Sequence, residues 1–218
     1  MIFKRILLYT LIYNKMDKIP MKMFALMSKI AYTDERKRPL ELNKYHLNQM
    51  SELNNYSNND VMTVKDKYSS IVIIAIRGTD IKNITNNRIR DLVQDYGILA
   101  GDDDAVTRTK KLISLVEKAI SKFGKNNVIL TGHSLGGFIA CRISDLLNVR
   151  VIAFNIGSSL LDGKERDNKN IIHYTTNNPL KGIIDIASIS TVLKDNYRTI
   201  TVKQKTGVDI HSINNFTP

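Results

Sequence analysis

The sequence predicts an α/β fold, with a mostly parallel central sheet and helices on both of its faces. Apolar β-branched runs such as SIVIIAIR (70–77) and VRVIAFNI (149–156) suit strands that are covered on either side. Amphipathic stretches of helical length lie between such runs. Alternation of this kind implies right-handed crossovers and parallel neighbours.

The elements follow in order. From Pro20, PMKMFALMSKIAY sets Met23, Met27 and Ile30 at helical spacing, a packing stripe rather than a functional one. The polar stretch NQMSELNNYSNND (48–60) reads as a loop joining this helical cap to the sheet. VMTVK (61–65) and SIVIIAIR are strands separated by a polar turn. AVTRTKKLISLVEKAISKFG (105–124) aligns Leu112, Leu115, Val116, Ala119, Ile120 and Phe123 on one face and closes at Gly124, a C-cap residue. Strand NVILT (127–131), helix GFIACRISDLL (137–147), strand VRVIAFNI and strand NIIHYTT (170–176) come next. YRTITVKQ (197–204) adds a last strand before the polar tail GVDIHSINNF (207–216).

With 218 residues, 43% hydrophobic and 24% charged, the chain suits one globular domain over 20–218 preceded by an arm over 1–19. Its single cysteine, Cys141, excludes an internal disulfide framework and favours a reducing interior as a buried, inert thiol. The apolar core of FKRILLYTLIY (3–13) is too short to span a bilayer, and no small-residue cleavage site follows it, so a docked terminal helix is expected. An intracellular place, in the cytoplasm or against a membrane, follows as the expectation. The net charge of +11 would suit a nucleic acid or an anionic membrane surface. The lysines and arginines are dispersed, with no basic arm, zinc spacing or aromatic RNA-binding motif, so nucleic acid is not an expected partner. Peripheral contact with an anionic membrane remains open.

One short stretch carries chemistry. In ILTGHSLGGFIA (129–140), Gly132-His133-Ser134-Leu135-Gly136 matches G-x-S-x-G, at the junction of a strand with an apolar helix. At such an elbow the serine is held in a strained conformation that pushes its hydroxyl outward, and the flanking glycines let strand and helix pass closely. The helix N-terminus below offers unpaired N–H groups to a developing oxyanion.

TGHSLGG after a strand, together with the upstream IAIRGTD, resembles the class 3 (fungal-type) lipase family of the α/β-hydrolase fold. The similarity covers about residues 60–216, with a looser match before it. The AT-rich flavour of the composition makes the chain similar to compact lipase-like proteins of large DNA viruses. The resemblance implies a serine ester hydrolase that acts on acylglycerol or phospholipid through an acyl-enzyme on Ser134. A non-lipolytic esterase or thioesterase is the alternative within catalysis, and a catalytically impaired lipid- or protein-binding module is the alternative outside it.

A serine hydroxyl needs a histidine to take its proton, and that histidine needs a carboxylate to fix its tautomer. The order Ser, Asp or Glu, His in this fold excludes His46. His133 is the elbow's own x residue, packed beside the nucleophile, and His173 reads as a half-buried hydrogen-bonding residue within a strand. His211 remains, and VDIHSINNF is similar to the family's ending, with the catalytic histidine before a short terminal helix. The acid expected in an N-D-P-type turn meets Asn178 in Asn177-Asn178-Pro179-Leu180. Either catalysis is impaired or the acid stands elsewhere. GIIDIAS (182–188) resembles the G-D-x-x-S acid loop of smaller members and implies Asp185, with Asp195 and a structural Asn178 as alternatives. For the oxyanion hole, the fold implies the Leu135 N–H and the family resemblance implies Thr79, with Gly78 allowing the turn. The family's lid would fall in IKNITNNRIRDLVQDYGILAGDDD (81–104), where an ordinary surface helix is the alternative. No cofactor is required, and the His and Cys spacings match no metal site.

Overall fold

Strict alternation of apolar side chains sends successive residues of the central strands to opposite faces of one sheet. Val72, Ile74 and Ile76 join Val128, Leu130, Val151 and Ala153 in one buried cluster, while Ile73, Ala75, Ile129, Ile152 and Phe154 join a second. The computed structural model describes residues 19–78, 103–157, 167–178, 183–184 and 197–218. Within them the helices are α1 (Met21–Ile30), α2 (Arg38–Lys44), α3 (Asp103–Phe123) and α4 (Leu135–Leu147). The strands are β1 (Met50–Glu52), β2 (Val61–Asp66), β3 (Val72–Ile76), β4 (Val128–His133), β5 (Arg150–Phe154), β6 (Ile171–Asn178), β7 (Ile183–Ile184) and β8 (Arg198–Lys203).

Strands β1 to β3 form an antiparallel ribbon, and β3, β4, β5, β6 and β8 continue as parallel neighbours. Short β7 pairs antiparallel with the end of β6, Asn178 opposite Ile183. The fold is therefore the α/β-hydrolase-type arrangement, a mostly parallel sheet between helical layers.

Leu112, Val116 and Ala119 of α3 and Phe138 to Ala140 of α4 cover the first face. Phe24, Met27 and Ile30 of α1 cover the second, together with Leu42 of α2 and Phe216 near the C-terminus. Each such fully buried side chain contributes about 1.5–3 kcal/mol, which makes α1 an integral layer of the core. Ser28 Oγ lies 2.9 Å from Thr131 Oγ1 in that layer, so these two buried hydroxyls between α1 and β4 satisfy each other.

Two sequence expectations need correction, and one helix was not expected. The 48–60 stretch is not only a loop: Met50–Glu52 pairs with β2, and Asn54–Tyr56 forms a 3-10 turn. Helix α2 has no apolar stripe that periodicity could detect, because one of its two buried side chains is Arg38. His173 is wholly buried, not half-buried, since β5 and β8 flank it on both edges of β6. Cys141 is buried, and Gly124 ends α3 with a φ of 83°, donating its N–H to the Ile120 carbonyl. No helix among the described residues is long and apolar enough to cross a membrane.

Candidate functional site

Strand β4 ends at His133 and helix α4 begins at Leu135, so Ser134 alone makes the turn between them. It does so at φ 56° and ψ −127°, a conformation that side chains avoid and that local structure must enforce. Close packing supplies the force. A Cβ on Gly132 would meet the Gly136 carbonyl carbon at 2.5 Å, and one on Gly136 would meet the Gly78 nitrogen at 2.9 Å. Only glycine lets α4 start this close to β4 and to the end of β3.

The Ser134 N–H donates to the Phe154 carbonyl at 3.1 Å, and its own carbonyl accepts from Phe138 N–H, the first closed bond of α4. The side chain is 2% exposed, and Oγ has no hydrogen-bond partner among the described residues. A buried unpaired hydroxyl costs about 1–3 kcal/mol, a penalty that structures tolerate chiefly where the group is used. Leu135, as the first residue of α4, has an N–H with no acceptor within its helix.

His211 reaches this corner in the segment after β8. Its N–H donates to Asp209 Oδ1 at 2.9 Å, which shapes a tight turn. Its carbonyl accepts from His133 Nε2 at 2.6 Å, and the two imidazoles lie 4.9 Å apart between centroids, tilted by 45°. A carbonyl only accepts, so the proton of His133 sits on Nε2. On its other side, His133 Nδ1 and its carbonyl each lie 3.3 Å from the Tyr32 hydroxyl, which also packs against Gly78. The structure thus holds the His211 loop against His133, the residue before Ser134, while Ser134 Oγ makes no hydrogen bond to the His211 ring or to any other described group.

Thr79, Asp185 and Asp195 lie outside the described residues, as do residues 81–102 of the expected lid. The backbone of Asn178 is described, paired with β7 at the end of β6. The strand leading to Thr79 is well anchored: the Arg77 carbonyl accepts from Arg108 Nη2 at 2.6 Å, and Arg108 pairs with Asp60 at 3.3 Å. His46 has a φ of 54° in the turn after α2, away from this corner in the fold. His173 accepts at Nε2 from the Ile156 N–H at 3.3 Å, a bond between β6 and the segment after β5.

Two asparagines that sequence reasoning missed hold the histidine loop. Asn155, buried with a φ of 40°, donates to the Ile210 carbonyl at 3.1 Å and accepts from Thr176 N–H at 2.9 Å. Asn215, also buried, donates to the carbonyls of Asp209, Ile210 and Ser212 and accepts from Lys205 N–H. The only signal in the sequence was position: an amide directly after an apolar strand, and another before Phe216 inside a polar tail. Among the described residues, no group of three His, Cys, Asp or Glu side chains could hold a metal ion.

Among the solved structures similar to this chain, several are lipases by title. MDLA of Penicillium cyclopium, in its N225Q mutant form, aligns over 90% of this chain and 83% of its own at a TM-score of 0.52 and 12% identity. A structure described as a fungal lipase aligns over 89% and 82% at 0.46 and 12%. The Rhizomucor miehei lipase propeptide complex aligns over 71% of this chain at 0.39 and 15%, and the chain spans 59% of that structure's length. At such identities the likeness bears on the fold alone, the Penicillium cyclopium match carries it, and it does not bear on a viral origin. No curated protein matches the sequence. Residues 82–211, more than half of the chain, match the uncharacterised protein family UPF0227, and the chain belongs to that family.

Proposed function

We propose that the protein is a serine ester hydrolase of the lipase-like type, acting on acylglycerol or phospholipid acyl esters. The observation that carries this reading is the strained turn at Ser134, with a buried, unpaired Oγ beside a free helix N-terminus. Support comes from His211, whose loop is fixed against the residue that precedes the serine.

In the proposed reaction, Ser134 Oγ attacks the ester carbonyl carbon while its proton passes to His211. The carbonyl oxygen, now negative, takes the Leu135 N–H, with Thr79 as second donor. The bond to the alkoxy oxygen then breaks as His211 returns its proton to the leaving alcohol. Water repeats the sequence on the acyl-enzyme and releases the acid. Asp185 would hold His211 in the correct tautomer.

Labelling with a fluorophosphonate probe tests the reading, because it needs an activated serine and no substrate guess. The wild-type chain should label, Ser134→Ala should not, and His211→Ala should label slower by on the order of a thousandfold or more. Asp185→Asn should slow labelling by up to about ten-thousandfold, whereas Asn178→Asp should leave it near wild type. A wild-type chain that stays unlabelled would refute the hydrolase reading. An equal loss in neither acid variant would move the acid elsewhere.

A further inference from the structure

Gly157 lies three residues beyond β5, with its Cα turned toward the serine. A methyl carbon built on it would stand 3.3 Å from Ser134 Oγ and 3.5 Å from both the Leu135 nitrogen and the Ser134 carbonyl carbon. The glycines at 78, 132 and 136 are explained by backbone, since a Cβ on each would meet main-chain atoms of a neighbouring element at under 3 Å. Gly157 has no such neighbour. Nor is its φ in the left-handed region, which among the described glycines is confined to Gly124 and Gly207. Among the described residues, neither packing nor backbone conformation requires glycine at 157.

What borders the missing side chain is the hydroxyl and the amide that a reacting ester must engage together. The acyl carbon has to reach bonding distance of Oγ while its oxygen sits about 2.7–3.1 Å from the Leu135 nitrogen. A carbon that touches both of those atoms is in contact with any group bridging them. We infer that Gly157 is a specificity-determining position: its bare face is the wall against which the acyl carbonyl and the adjoining α-carbon of the substrate rest. The inference depends on Ser134 being the nucleophile proposed above.

With the site empty, a methyl at 157 is tight but tolerable, because its nearest neighbour is a hydroxyl that turns about one bond. With an ester bound, the methyl and the acyl group compete for the same space. The obstruction grows with substitution at the acyl α-carbon, so a 157 side chain should act as a filter against branched acids.

The experiment compares wild type with Gly157→Ala on p-nitrophenyl butyrate and p-nitrophenyl isobutyrate, with fluorophosphonate labelling to count active serines and thermal melting to monitor the fold. The alanine variant should melt within a few degrees of wild type. Its rate per labelled serine should fall about tenfold on butyrate and further on isobutyrate, raising the ratio between the two esters. Unchanged rates with an unchanged ratio would overturn the inference while leaving the nucleophile intact, because wild type would still label. An unlabelled wild type would instead strike the reading on which the inference rests. A Gly157→Ala chain that fails to fold would also overturn it, since the fold has no need of glycine at that position.

Discussion

His133 is committed at both ring nitrogens, Nε2 to the carbonyl of His211 and Nδ1 beside the Tyr32 hydroxyl. It therefore acts on the loop backbone rather than as a base, and its test must separate positioning from bulk. His133→Leu removes a bond worth about 1 kcal/mol and should slow fluorophosphonate labelling about fivefold. His133→Gln, with an amide N–H able to donate to the same carbonyl, should recover most of the rate; equal slowing in both variants would refute a role for that bond. Ser134 was legible because a hydroxyl between glycines at a strand–helix junction has a local signature. Tyr32, Asn155 and Asn215 were not, since each acts through a carbonyl or ring distant along the chain, and such pairings leave no periodic trace. His173 was misjudged for a related reason. Its strand carries threonine and tyrosine neighbours that suggest one wet face, whereas flanking strands bury it fully.

Among the elements, α2 is organised around one charge. The Arg38 guanidinium is wholly buried and donates to Glu52 Oε1 at 3.3 Å, to the Val61 carbonyl at 3.2 Å and to the Asn58 carbonyl at 3.0 Å, while Nε reaches the Thr33 carbonyl at 3.2 Å. One side chain thereby ties α2 to β1, to β2 and to the turn after α1. Arg38→Met leaves the mostly buried Glu52 carboxylate and three carbonyls short of a donor, and should cost about 3–5 kcal/mol. Urea denaturation should record this as a lower midpoint with an unchanged slope, and a midpoint like that of wild type would refute it. The long amphipathic α3 and the apolar central strands were legible as periodic patterns. Helix α2 and strand β1 were not, because three residues, MSE, hold too little pattern and because a fixed arginine imitates a solvated one.

For the molecule as a whole, the second face of the sheet holds one of the two buried clusters. Tyr174 stacks on Phe154 there with ring centroids 5.6 Å apart, and burial raises its phenol pKa above the ordinary value, against a smaller opposing effect of Arg198. A raised folded-state pKa means that the folded chain holds this proton more tightly than the unfolded chain does. The corresponding stability is fully present below about pH 10 and is lost as the pH rises through the folded-state value. Melting temperatures measured across that alkaline range should fall less steeply for Tyr174→Phe than for wild type, and parallel curves would refute the assignment.

The corner that joins Tyr32, His133 and His211 has one more consequence. Its three contributors are separated by 101 residues on one side and 78 on the other, so any contiguous fragment that contains all three must run from Tyr32 to His211. Loop-closure entropy opposes their meeting until the intervening layers have formed, and the reward comes only at the end. On the proposed hydrolase reading, a half-made or clipped molecule displays a hydroxyl without the imidazole that would arouse it, and is inert toward esters.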